Sequence, residues 1–99
     1  MLNIEKKIDG EKAEITAEGR LDTITAPELE GVIREIIPSV TELVLDFEKL
    51  DYISSAGLRV LLSTHKNMTG KGGLKIVNVS RPIMEIFEVT GFSEILTIE

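Results

Sequence analysis

The chain has 99 residues, with 17 acidic against 11 basic side chains and a formal net charge of -6, a balance that argues against direct nucleic-acid binding. It contains no cysteine, which excludes disulfides, thiolate zinc sites and thiol catalysis. At 42% hydrophobic residues it is too apolar for disorder and long enough for one domain, yet no apolar run approaches the ~20 residues of a membrane span.

The first residues, Met1 to Lys7, lack the apolar core of a signal peptide, so the expectation is a cytoplasmic protein with no membrane association. Leu2 to Ile8 and Lys12 to Glu18 read as strands, with Asp9-Gly10 between them as a hairpin signal, because glycine accepts the positive φ of a tight turn. Gly19-Arg20-Leu21-Asp22-Thr23 leads into a helix. Thr25 and Glu28 have the spacing of a capping box, Thr25 as N-cap. Leu29, Val32, Ile33, Ile36 and Ile37 form one apolar stripe, and Pro38 ends it.

Leu43 to Phe47 is a mostly continuous apolar run, as a buried strand requires. After a short polar link, Asp51-Tyr52-Ile53-Ser54-Ser55 reads as part of a loop that opens into a helix from about Ala56 to Met68. Leu58, Leu61, Leu62 and His65 share one face of that helix, and Gly70, Gly72 and Gly73 stop it. Leu74 to Val79 is the next strand. Ser80-Arg81-Pro82 opens a third helix with Ile83, Ile86 and Phe87 inward and Gly91 as its stop, and Glu94 to Ile98 reads as a last strand. The order β-β-α-β-α-β-α-β predicts an α/β domain: an N-terminal β-hairpin, then a mostly parallel sheet with helices crossing between strands.

The chemistry is concentrated where Ser54 and Ser55 meet the start of the second helix, outside the end of a parallel strand, where open α/β sheets bind ligands. Ser55 has the position of an N-cap whose oxygen satisfies free backbone N–H groups. The same groups and the helix dipole would stabilise a phosphate attached there. Between Tyr52 and Met84 there is no Asp or Glu, while Arg59, Lys66, Lys71, Lys75 and Arg81 all fall in that span. This predicts a basic patch around the Ser55 loop.

Other chemistries fit poorly. The only histidine, His65, lies ten residues along the same helix from Ser55, ~15 Å by helical rise, so Ser55 has no base for hydrolysis. Asp46 ends a strand as a phosphoacceptor aspartate does, but the paired acids and late lysine of such a site are missing. Gly70-Lys71-Gly72-Gly73 follows a helix instead of entering one, so it is not a phosphate-binding loop.

With Tyr52-Ile53-Ser54-Ser55-Ala56-Gly57-Leu58 at its centre, and with the Gly19-Arg20-Leu21-Asp22 turn, the Leu43-to-Phe47 and Leu74-to-Val79 strands and Val89-Thr90-Gly91-Phe92 in order around it, the whole chain, 1–99, resembles the STAS family. Its soluble bacterial members include anti-sigma factor antagonists. The resemblance implies a non-enzymatic binding module with no cofactor and no metal. It implies an anti-sigma factor serine kinase as partner, bound by the unphosphorylated form and released on phosphorylation of a serine, and a PP2C-type serine phosphatase that reverses the step. Aligned on Gly57-Leu58, the acceptor is Ser55, with Ser54 the alternative. Ser54 stands where the family often has Asp, Arg59 where a small Gly is frequent, and Asp22 where an acid flanks the acceptor loop. The implied docking residues are Asp22, Thr23, Ser54, Gly57, Arg59 and Ser63. The family also contains subunits of transporter and lipid-trafficking complexes, and under that alternative Ser55 would be a capping residue in a permanent interface.

Overall fold

The structure, a computed structural model, describes residues 2–99. Strands β1 (Leu2–Asp9) and β2 (Lys12–Leu21) form the expected hairpin, paired antiparallel from Leu2↔Gly19 to Asp9↔Lys12. The turn residues are Gly10 and Glu11, with Gly10 at φ +63°, the glycine-first geometry that matches strand twist. Helix α1 (Ala26–Ile36) buries Ala26, Leu29, Ile33 and Ile36, and a short 3₁₀ turn over Ile37–Ser39 follows it. Strand β3 (Glu42–Asp46) comes next, then β4 (Leu50–Ile53), α2 (Ser55–Met68), β5 (Gly73–Val77), α3 (Arg81–Thr90) and β6 (Thr97–Ile98).

The sheet runs β1-β2-β3-β5-β6, and β4 pairs with β2 beyond the point where β3 leaves it. Every pair after the hairpin is parallel. The steps β2-α1-β3, β4-α2-β5 and β5-α3-β6 all advance the same way across the sheet. Right-handed crossovers therefore place the three helices on one face. That face holds the core: Ala13, Ile15, Ala17, Leu43, Leu45 and Ile76 from the strands are fully buried against Leu29, Leu61 and Phe87 from the helices. Each large side chain so buried contributes roughly 1.5–3 kcal/mol. On the opposite face Lys12, Glu14, Glu42 and Lys75 are exposed, so β2 alternates as a half-buried strand does although most of its sheet is parallel.

Four local expectations are corrected. Strand β4 runs from the end of the polar link into the stretch read as a loop; only Leu50 and Ile53 of it are buried, three residues apart, so no alternation signals a strand. The capping box at Thr25 does not form, because its hydroxyl is turned back to the Arg20 carbonyl at 2.7 Å. Strand β5 ends at Val77, where Asn78 takes a left-handed φ of +56°, a conformation asparagine tolerates. The last strand is only Thr97–Ile98: after Gly91, at φ +82°, a 3₁₀ turn over Phe92–Glu94 takes up the backbone, with the Leu96 amide donating to the Phe92 carbonyl at 2.8 Å. Among the described residues no helix is long and apolar enough to cross a membrane.

Candidate functional site

Two loops leave the same end of the sheet side by side. One follows β2, the other follows β4, and the strands are in register there, Arg20 opposite Tyr52 and Leu21 opposite Ile53. The first amide past β4, that of Ser54, donates to the Leu21 carbonyl at 2.9 Å. Asp22 and Ser54 are thus neighbours because consecutive β2 and β4 residues are paired, not because of any attraction between their side chains.

Ser54, not Ser55, is the N-cap of α2. Its backbone is extended (φ -98°, ψ 176°) and its Oγ accepts the Gly57 amide at 3.4 Å. Held by the Leu21 carbonyl, Ser54 cannot yet turn helical, so the helix begins one residue later. Ser55 is the first helical residue, and its side chain is exposed. The amides of Ser55 and Ala56 have no intrahelical carbonyl to reach, so an oxyanion on Ser55 would sit at the positive end of the helix.

The β2 loop is a tight turn built by one carboxylate. Asp22 Oδ1 accepts the Ile24 and Thr25 amides, each at 3.0 Å, and lies 3.2 Å from Thr25 Oγ1. The Thr25 hydroxyl, buried, donates to the Arg20 carbonyl and accepts the Asp22 amide at 2.8 Å. The Ala26 amide closes the turn on the Asp22 carbonyl at 2.8 Å. The Thr25 amide above all, with the Ile24 amide, the Thr25 hydroxyl and the Arg20 charge, holds the Asp22 carboxyl below its ordinary value against a smaller opposing cost of burial. Arg20 lies with its guanidinium carbon 4.3 Å from the Tyr52 ring centre and Nε 3.9 Å from Asp22 Oδ2, a cation–π stack across the strand pair.

The expected docking residues separate into three groups. Asp22, Thr23, Ser54 and Ser55 are together at the strand ends. Arg59 and Ser63 are exposed one and two turns further along α2 on the face that carries Ser55. Gly57 is buried, and a Cβ there would come within 2.8 Å of Ile53 Cγ1 and Leu21 Cγ. Its place is beneath the loop, where it lets the helix approach the sheet; it offers no surface to a partner. Ile24, Arg20 and Tyr52 also belong to this end and were not singled out. The signal for Ile24 was an isoleucine inside a Asp-Thr-x-Thr turn, outside any apolar period.

Of the five cations expected as a basic patch around Ser55, Lys66 lies in the last turn of α2 and three are taken by other partners. Lys71 donates to the Ile37 and Val40 carbonyls at 2.7 and 3.2 Å, Lys75 pairs with Glu99 at 3.4 Å, and Arg81 with Glu85 at 3.7 Å. Arg59 alone of these cations lies one turn from Ser55. His65 lines a cleft of about 430 Å³ with Lys12, Glu14 and Lys75, near the other end of α2. Asp46 fastens its own loop, accepting the Glu48 amide at 3.0 Å and Asn78 Nδ2 at 3.2 Å.

Comparison with known proteins gives a consistent picture. A family model described as STAS domain matches residues 3–99. An anti-sigma-B factor antagonist of Staphylococcus aureus (strain NCTC 8325 / PS 47) is 34% identical over 98 residues, 96% of this chain and 90% of that one. Among solved structures, an anti-sigma factor antagonist from Mycobacterium paratuberculosis superposes with a TM-score of 0.90 at 21% identity, over 99% of this chain and 85% of that one. The Bacillus cell fate determinant SpoIIAA in its phosphorylated form superposes with a TM-score of 0.75 at 20% identity, over 100% and 91%. At these identities the two structures speak for the fold.

Proposed function

The chain belongs to the STAS domain family, and on that premise we propose that it is an anti-sigma factor antagonist, switched by phosphorylation of Ser55. The unphosphorylated domain binds an anti-sigma factor that is also a serine kinase, in the cytoplasm, and so frees a sigma factor. Transfer of phosphate to Ser55 ends the complex, and a PP2C-type phosphatase restores it. The domain itself is not an enzyme; catalysis belongs to its partners.

The observation that carries this reading is the division of labour between the two serines. Ser54 satisfies the helix, which leaves the Ser55 hydroxyl exposed and uncommitted at the first turn. A phosphate there adds about -1.5 to -2 charge, stabilised by the helix start and by Arg59 one turn on. The domain keeps its fold, and the complex is broken by charge and bulk at the interface. The named homologue and the existence of a phosphorylated form of the structurally similar SpoIIAA support the reading.

The test uses the anti-sigma factor kinases of the host, purified one by one. Incubation with ATP and mass spectrometry should place one phosphate on Ser55. Ser55→Ala should keep binding and Ser55→Asp should weaken it by roughly tenfold or more. Equal binding by both variants, with no phosphate on the loop, would overturn the proposal.

A further inference from the structure

We propose that Ile24 is the apolar anchor through which the partner kinase grips the Ser55 end of the domain, and that Asp22 is the positioning residue that holds Ile24 out. This rests on the reading of Ser55 as acceptor. A lone exposed apolar residue is ordinary and needs no explanation. Ile24 differs in three respects.

It is 82% exposed, yet it sits in one of the most tightly bonded turns of the molecule. Its own amide is held by Asp22 Oδ1 at 3.0 Å, the next amide by the same oxygen, and the turn is closed by the Thr25 hydroxyl and the Ala26 amide. A side chain presented on a fixed backbone loses little freedom when it is bound. It also lies beside the acceptor. The turn follows Leu21, the Ser54–Ser55 loop follows Ile53, and these two residues are paired. A kinase that closes on the Ser55 hydroxyl must therefore cover the turn as well. Finally, Arg20 and Tyr52 lie on the same strand pair, and Tyr52 is itself exposed. The Arg20–Tyr52 stack at the same strand ends adds residue types enriched in interface hot spots. The occupant is thus an apolar recess on the rim of the kinase's active site.

The same geometry assigns Asp22 its part. Oδ1 is spent on two amides and a nearby hydroxyl, and Oδ2 faces Arg20 at 3.9 Å. Oδ1 is the oxygen that fixes the backbone on which Ile24 stands, while Oδ2 makes no hydrogen bond among the described residues.

Binding to the same purified host kinases separates these roles, with thermal melts to verify folding. Ile24→Ala should weaken binding by roughly tenfold or more at unchanged melting temperature, and Ile24→Leu should stay within about threefold of the parent. Asp22→Asn keeps an oxygen for both amides and should also stay within about threefold, while Asp22→Ala should fall as far as Ile24→Ala and speed hydrogen exchange at the Ile24 and Thr25 amides. Undiminished binding by Ile24→Ala removes the anchor. Equal loss in Asp22→Asn and Asp22→Ala shows instead that the partner reads the charge. A parent protein that binds none of the kinases and takes no phosphate fails the functional reading itself, and the anchor falls with it; a parent that binds while Ile24→Ala binds equally well fails the anchor alone.

Discussion

The Ser54 amide donates to the Leu21 carbonyl at 2.9 Å, which ties the residue that caps α2 to the last residue of β2. The bond extends the β2–β4 ladder one step past its end. It fixes the Asp22 turn and the Ser55 loop as one surface, and it decides which of two adjacent serines caps the helix.

The two serines should therefore differ in their contribution to stability. Ser54→Ala removes a cap whose bond, at 3.4 Å, is long; a loss of about 0.5–1 kcal/mol is expected. Ser55→Ala removes an exposed hydroxyl and should stay within about 0.5 kcal/mol of the parent. Urea unfolding of both variants checks the order, and a larger loss at Ser55 would contradict the assignment of the cap.

Gly57→Ala should destabilise by about 1–3 kcal/mol, because the added methyl meets Ile53 and Leu21 in a closed corner. Leu21→Val in the same chain should recover part of the loss, since it removes volume from one of the two contacts. Purely additive effects in this double-mutant cycle would place the strain elsewhere.

Asp22 sets a pH dependence with a definite sign. Its carboxyl is held below its ordinary value in the folded protein, chiefly by the Thr25 amide. The ionised carboxylate therefore favours the folded turn. That contribution is present above the unfolded value of about 3.9 and is lost as the pH falls through the lowered folded value. The Ile24 and Thr25 amide resonances should titrate together with a midpoint below that of a free aspartate. A midpoint at or above the free value would sever the turn from the carboxylate.

Lys71 donates to two carbonyls in the link after α1. Lys71→Met should cost roughly 1 kcal/mol and raise hydrogen exchange in the segment from Ile37 to Thr41. Binding at the Ser55 end should not change, because the contact lies beyond the opposite end of α2.

Much of this was legible in the chain. The stripe Leu29, Ile33, Ile36 marked α1, and Gly10 and Gly91 marked a turn and a helix stop by their need for positive φ. The Ser-Ser pair before an apolar helical period marked the site. Strand β4 was not legible, since Asp51 and Tyr52 face solvent and only two of its four residues are buried. Neither was the fate of two cations: charge spacing along the chain placed Lys71 and Lys75 in one patch with Arg81, and partners distant in sequence, the Ile37 and Val40 carbonyls and Glu99, took them.

By itself the sequence determined which segments are helices, which strands are buried and that a serine opens α2, because these follow from side-chain periodicity and from the steric needs of glycine and proline. Only the tertiary structure decided that β4 lies against the far half of β2, that Ser54 caps while Ser55 is free, that Gly57 is packed under the loop and that Ile24 stands outside it. The placing of β4 and of the Ser54 cap depends on backbone bonds between residues some thirty positions apart, and pairing at that distance is set by how the whole sheet assembles, not by any local pattern.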